Sequence, residues 1–468
     1  MEKTFLHIIC AIVLLVGGCT MAPKYERPAA PVPNQWPTGE AYKGMKADAT
    51  APTMQDLPWQ KFFTDERLQK IIETALKNNR DLRLAALNVE KARALYGIQR
   101  AELFPTANAV GYGTKGRVPA DLSYTGQDMT AQQYSVNLGV TAWEIDFFGR
   151  IRSLKDRALE EYFASDQARR SAQILLVSTV ANAYLTLAAD RESLKLTTST
   201  LEAQEHAYKL IRRRCDVGLA SELDLRRAQS QVDTARGDVV RYTQLIALEE
   251  NVLQLIVGSP VPPALLPPEL GKISPLRDIS PGLSSELLLG RPDILAAEHR
   301  LRAANANIGA ARAAFFPRIS LTTTFGTASA DLSGLFRDGS STWNFAPQII
   351  VPLFDARLWS LYDATKVEKD ITIAQYERVI QTAFRETADA LAVQGTVNSQ
   401  IEAQESLVNA NAETYRLSTI RYTKGVDNYL SVLDAQRSLY SAQKGLISLY
   451  LFRLVNEVTL YKALGGGA

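Results

Sequence analysis

The sequence predicts a mixed α and β membrane protein with an internal two-fold repeat, on three observations. Two stretches of roughly 65 residues keep helical composition throughout, far beyond the length of ordinary globular helices. Four segments of about ten residues alternate apolar and polar positions like strands. A helix ending in Phe-Pro also recurs: Asp81 to Pro105 matches Asp293 to Pro317 without a gap, 212 positions on, at Ala85/Ala297, Ala92/Ala304, Ala94/Ala306 and Gly97/Gly309. Length alone would allow about two or three domains, and the repeat favours two similar halves within the 468 residues.

In chain order, Met1 to Lys3 is a short charged lead and Phe5 to Val16 is an apolar run, too short to span a bilayer and suited to a signal-peptide core. Residues 1–18 are therefore assigned to a signal peptide. The run ends Leu15-Val16-Gly17-Gly18-Cys19, which resembles a bacterial lipobox; on that resemblance Cys19 is lipidated after cleavage and becomes the first residue. An ordinary signal peptide followed by an incidental cysteine is the alternative. Thr20, in place of Asp, resembles lipoproteins sent to the outer membrane. Apart from that covalent lipid no cofactor is expected. Loss of Cys10 with the signal would leave Cys19 and Cys215, too few for a disulfide framework within the mature chain. Residues 19–60 are rich in proline and small polar side chains, with Trp36 and Trp59 as apolar anchors, and read as an extended arm.

The first repeat, 61–258, starts with a helix from Arg67 to Leu103. Pro105 stops it, because proline lacks the amide donor and clashes with the preceding turn. Strands follow at Thr106–Val118 and Tyr134–Ala142. A helix from Gly149 to about Val217 would be about 100 Å long at 1.5 Å per residue. The turn Val217 to Asp224 sends the chain back through Leu225, Ala228, Val232, Ala235, Val239, Tyr242, Ile246, Glu249, Leu253 and Ile256, whose steps of three and four predict a left-handed supercoil. Prolines mark a linker over 259–283. The second repeat, 284–468, replays the order: a helix stopped at Phe316-Pro317, strands Ile319–Phe325 and Trp343–Phe354, and a helix from about Leu358 to Thr423. A turn at Lys424 to Asn428 then leads into a return helix whose seam repeats the first, shifted by 207. Pro347 and Pro352 are expected to weaken the fourth strand.

Strands of about ten residues suit a tilted crossing of an outer membrane. Four cannot close on themselves, and an open edge in lipid would leave unpaired amides costing several kcal/mol each. Several copies must then share one barrel: two copies give eight strands and a filled interior, three give twelve and room for a channel. A soluble sheet capping a coiled coil has the same alternation.

The lipobox, the run Tyr25-Glu26-Arg27-Pro28 in a proline-rich arm, the doubled helix–strand–strand–helix–turn–helix unit and the run Gly425 to Gln436 together resemble the TolC-like outer-membrane efflux factors. The lipoprotein branch typified by OprM and CusC is the nearer likeness. The resemblance implies a homotrimer whose 12-stranded outer-membrane β-barrel continues into a long periplasmic α-helical coiled-coil barrel. It also implies an exit duct of a tripartite pump, exporting small molecules such as drugs or metal ions. An adaptor and an inner-membrane transporter, of the proton-driven RND type, would be its partners. The outer component of a type I protein-secretion system and a lipid-anchored scaffold without a pore are the alternatives.

Site residues follow from the same resemblance. Gly218, Leu219, Ala220 and Ser221 with Lys424, Gly425 and Val426 would meet the adaptor. Asp224 and Tyr422 match positions that join neighbouring helices in the closed state. Asp434 matches an acidic position facing the constriction, and Asp427 resembles the acidic constriction residue of the OprM-like branch. TolC itself carries a basic residue at the position of Asp427 and an Asp at that of Ser431, so its double acidic ring is not expected. Three symmetry-related carboxylates would repel, raise one another's pKa values and favour cations at the mouth. Arg213, Arg214, Arg421 and Lys424 lie near enough along the chain to pair with them. Asp224 is also placed to cap the returning helix. Phe104-Pro105 and Phe316-Pro317 would be the joints between helical tube and barrel. No metal-spaced Cys/His set, phosphate-cradling loop or nucleophile elbow occurs, and His206 and His299 stand alone in sequence, so no enzyme is expected. A net charge of +2 gives no reason to expect nucleic acid.

Overall fold

The computed structural model describes residues 20–43, 57–274, 276–277 and 284–467, so the signal peptide and Cys19 lie outside it. Two compact units are present. The first comprises the arm up to Ala29, Asn88–Ser165 and Ala296–Tyr376; the second comprises Ala30–Leu87, Asp166–Leu295 and Glu377–Ala468. Elements follow in the order α1 (Trp59–Phe62), α2 (Glu66–Asn78), α3 (Arg80–Ala101), β1 (Ala107–Val118), β2 (Met129–Glu144), α4 (Arg150–Asp216), α5 (Glu222–Val257), α6 (Pro292–Ala313), β3 (Arg318–Ser329), β4 (Ser341–Ile350), α7 (Ala356–Thr423) and α8 (Tyr429–Ala463).

The single helix expected over Arg67–Leu103 is two helices. Asn79 is extended (φ −61°, ψ 131°) and breaks the run. Its amide side chain makes the break useful: Oδ1 accepts from the Leu82 N–H at 2.8 Å, capping α3, and Nδ2 donates to the Ile256 carbonyl at 2.7 Å near the end of α5. Gly258, left-handed at φ +75°, closes α5 against this corner, where a Cβ would stand 2.5 Å from the Asn78 oxygen. The seam positions of α5 and α8 are all buried or half-buried, as their spacing required. The core of the second unit gathers Leu68, Ile71 and Ile72 of α2, the fully buried Val180, Tyr184 and Leu185 of α4, and Tyr461 of α8 stacked 4.6 Å from Phe62.

In the first unit β1 to β4 form one antiparallel sheet in chain order, so the two repeats meet where β2 pairs β3. All four strands fall where alternation placed them, with shifted ends. β2 begins at Met129 because its polar residues Thr130, Gln132 and Gln133 find ladder partners on Arg117, Lys115 and Thr114. β4 stops at Ile350, before Pro352. Pro347 stays in register opposite Leu321, which an edge strand tolerates. A bulge between Val140 and Trp143 puts Ala142 at φ +52°.

The register sorts side chains onto two faces. One carries Ala109, Leu138, Phe325 and Trp343 in a single cross-strand row, with Ala107, Val140, Thr323 and Phe345 in the next. The other carries Asn108, Asn137, Thr322, Thr324, Thr342 and Asn344, with Val110 and Tyr112 of β1 as its large apolar members. Leu138, Phe325 and Trp343 are 62%, 66% and 75% exposed, so the apolar face is uncovered within the chain. Where β2 meets β3 the backbones approach too closely for a side chain: a Cβ on Gly326 would run into the Val136 carbonyl and lie 2.6 Å from Asn137 Oδ1. Gly326→Val should therefore cost about 1–3 kcal/mol by overpacking. It should also lower the melting temperature in detergent, whereas Gly116→Ala on β1, with open space around it, should not.

Candidate functional site

The two hairpin turns of the second unit have the same backbone. Gly218 (φ +75°) and Gly425 (φ +73°) take the left-handed conformation that ends a helix. The Leu219 N–H donates to the Arg214 carbonyl at 2.7 Å and the Val426 N–H to the Arg421 carbonyl at 2.9 Å. Val217, Leu219 and Val426 are 68%, 70% and 61% exposed, so both turns present large apolar side chains to solvent. Ala220 is half-buried, and Ser221 and Lys424 are exposed.

The side chains differ between the turns. Ser221 caps α5: its Oγ accepts from the Asp224 N–H at 3.1 Å and donates to Asp224 Oδ2 at 2.7 Å. Asp224, three residues into the turn, therefore accepts from the capping hydroxyl and is not the cap itself, and it also faces Arg227 at 3.8 Å. Asn428 caps α8. Asp427 takes both nitrogens of the Arg421 fork, at 2.6 and 2.9 Å. Hydrogen bonds from Arg421 outweigh desolvation and hold the Asp427 carboxyl below the ordinary carboxylate range. Within one chain, then, the arginine sets the charge state at Asp427 in the direction opposite to the mutual raising expected from a ring. Asp434 pairs with Arg437 one turn along.

Tyr422 and Asp224 are not bonded to one another among the described residues. Tyr422 lies under the Arg214 guanidinium, 5.0 Å from its ring centroid, and tilts against Tyr429 at 5.2 Å. Tyr429 is 4% exposed and packs with Ile211, Ala228, Val432 and Leu433. Its hydroxyl has no hydrogen-bond partner among the described residues, and burial first, then Tyr415, Tyr422 and Asp224, push its pKa up. Arg214 was named from sequence only as a partner for the acids, whereas it lies over Tyr422, and Tyr429 was not singled out. The signal available was the repeat itself, which sets Arg214 opposite Arg421 and Ala220 opposite Asp427.

The arm is the second feature. From Thr20 onward it runs along α6 in the first unit: Asn305 donates to the Pro23 carbonyl at 2.8 Å and Arg312 to that of Met21 at 3.3 Å. Gly309, one of the glycines shared by the two repeats, leaves room for Ala22; a Cβ there would be 2.6 Å from its nitrogen. Glu298 on α6, only 3% exposed, receives Arg27 Nε at 3.1 Å, Arg302 at 2.7 Å and the Tyr25 hydroxyl at 3.2 Å. Tyr25 and Arg27 belong to the motif noted in sequence, and Glu298 was missed because its partners are some 270 positions away. His299, alone in sequence, is not alone in space: its Nδ1 is 2.6 Å from Glu160 Oε2.

At the joints, α3 and α6 end at Ala101 and Ala313 and the strands begin at Ala107 and Arg318. Phe316 stacks on Phe148 at 4.9 Å, while Phe104 is 62% exposed, so the two copies are not equivalent. Cys215 is half-buried. Among the described residues no group of three His, Cys, Asp or Glu side chains could hold a metal ion.

Comparison with known proteins gives a consistent result. The family model described as outer membrane efflux protein matches residues 71–259 and 283–466. The probable efflux pump outer membrane protein TtgC of Pseudomonas putida is 49% identical over 468 residues, 100% of this chain and 96% of that protein. A membrane protein crystal structure from Pseudomonas aeruginosa superposes with a TM-score of 0.90 at 44% identity, covering 96% of this chain and 98% of the other. The open state of the Neisseria gonorrhoeae MtrE outer membrane channel does so at 0.86 and 38%, covering 96% and 98%. With matching elements in matching order over nearly the whole chain, it belongs to the outer membrane efflux protein family.

Proposed function

We propose that the protein is the outer-membrane exit duct of an efflux pump, passive in itself and opened at the hairpin turns of its long helices. The observation that carries this reading is the two-faced sheet. A row of exposed Leu138, Phe325 and Trp343 on one side and Asn137, Thr324 and Asn344 on the other suits lipid outside and water inside. A scaffold without a pore would have no use for such a sheet.

β1 and β4 are free edges among the described residues, and a membrane sheet cannot keep free edges. Three copies joined β4 to β1 would make twelve strands, wide enough for a channel. Cys19 would carry the lipid that holds each copy to the membrane. The exposed apolar turns Val217 to Leu219 and Val426 would receive a periplasmic adaptor, which links the duct to an inner-membrane transporter of the RND type. Energy and choice of cargo would belong to that transporter, and the naming of TtgC as a probable efflux pump outer membrane protein supports a place in such a pump.

Purified protein in planar bilayers should give discrete potassium chloride currents, and their absence would refute the duct. Asp427 and Asp434 are each paired with an arginine, so neutralising both leaves Arg421 and Arg437 unopposed. Asp427→Asn with Asp434→Asn should raise conductance and move ion preference toward anions; unchanged single-channel behaviour would remove these residues from the gate.

A further inference from the structure

We infer that Arg214 couples the two hairpin turns, and that it is free to do so because position 220 is alanine. This rests on the gating role proposed for the turns. Each position of the first turn has a counterpart 207 residues on: Arg214 and Arg421, Cys215 and Tyr422, Ala220 and Asp427. Their backbones coincide down to the Gly218 N–H on the Cys215 carbonyl at 2.9 Å and the Gly425 N–H on the Tyr422 carbonyl at 3.0 Å. A side chain at 220 therefore leaves its turn as the side chain at 427 does.

In the second turn Asp427 captures Arg421 with two charge-assisted bonds, closing that hairpin on itself. In the first, the Ala220 methyl offers nothing, and Arg214 makes no ion pair among the described residues. The guanidinium reaches instead across to the other hairpin and lies over Tyr422. Tyr422 in turn leans on the buried Tyr429 at the start of α8. Arg214, Tyr422 and Tyr429 thus form a stack that begins on α4, passes the end of α7 and ends at the first residue of α8. A carboxylate at 220 would reclaim Arg214, because a bidentate ion pair is stronger than a half-exposed cation–π contact. The missing acid is what lets one turn hold the other, so that the pair moves as a unit.

The test compares wild type, A220D, A220N and R214M, each checked for assembly by heat-modifiable migration. In planar bilayers A220D and R214M should raise the open fraction about two- to five-fold over A220N and wild type respectively, the ratio expected from losing one cation–π contact. In detergent, hydrogen exchange of residues 415–430 should rise in A220D although the substitution sits on the other hairpin. Equal open fractions for A220D and A220N, or unchanged exchange at 415–430, would overturn the coupling. Wild-type protein that gives no discrete currents would instead overturn the duct, while the exchange experiment would still decide the coupling.

Discussion

Replacing Arg291 with alanine is expected to lower stability by about 2–3 kcal/mol, the cost of removing one partner from a buried ion pair discounted because Asp293 and Glu386 are each about a third exposed. Arg291 is 6% exposed. Its Nε and Nη2 hold Asp293 at 3.0 and 2.7 Å, Nη2 reaches Glu386 at 3.2 Å, and Nη1 donates to the Ala463 carbonyl at 2.7 Å. Burial works against the charge, yet Asp293 and Glu386 win and its pKa is raised. Alanine would take the cation from Asp293 and Glu386 and leave the last carbonyl of α8 with only Thr387 Oγ1, at 3.4 Å. The end of the chain depends on that carbonyl's position, since Tyr461 donates to the Gly467 oxygen at 2.9 Å and Gly467 bridges to Pro58. A C-terminal epitope should become accessible to carboxypeptidase at the same time as the denaturation midpoint falls. Lysine should recover part of the loss, because it restores charge without the fork. An alanine variant with an unmoved midpoint would show that the cluster contributes no net stability.

Replacing Glu298 with alanine is expected to cost about 2 kcal/mol, the buried-pair value discounted because Arg27 and Arg302 are each more than a third exposed. Its effect on structure should exceed its effect on stability, for Glu298 is what binds Tyr25 and Arg27. Trypsin should then cut after Lys24, a site that remains resistant in the parent protein, whereas Arg27 is shielded from it in either case by Pro28. The pH dependence has a definite sign. Burial opposes ionisation of Glu298, and the bonds from Arg27 and Arg302 overcome it and hold the pKa below the usual value. The arm's contribution is therefore complete above about pH 4.3, the ordinary glutamate pKa, and lost only as pH falls through the lower folded value. Resistance to trypsin should not change between pH 8 and 6, where the protease still works; cleavage that sets in near neutrality would place the arm's anchor elsewhere.

Much of the fold was legible in sequence because it is periodic. A seam repeated every three or four residues, strands that alternate, and prolines that end helices are local rules, and α4, α5, α7, α8 and four strands follow from them. The break at Asn79 was not legible, because it depends on a carbonyl at Ile256 that no local rule brings near. Strand ends shifted for the same reason: Thr130 and Gln132 are strand residues only because β1 supplies partners. At the turns, glycine and the capping residues could be read from their positions, and so could the acids. What Asp427 pairs with, and what Arg214 does in the absence of a partner, required the two turns to be set side by side in space. Glu298 is the extreme case, a buried carboxylate on an Ala-rich helix whose meaning lies in an arm far upstream.

The open edges of β1 and β4 have a consequence for the life of the chain before it reaches its place. A sheet with two unpaired edges and one uncovered apolar face is a template for pairing with whatever strand comes first. On the proposed reading the correct partner is another copy of the same chain, so the step that completes the sheet is intermolecular. Its rate then depends on the number of copies nearby, and a copy in transit is exposed to misassociation for as long as it travels alone. The arm along α6 and the Gly326 contact between β2 and β3 secure each copy internally, but the last hydrogen-bonded seam belongs to the encounter.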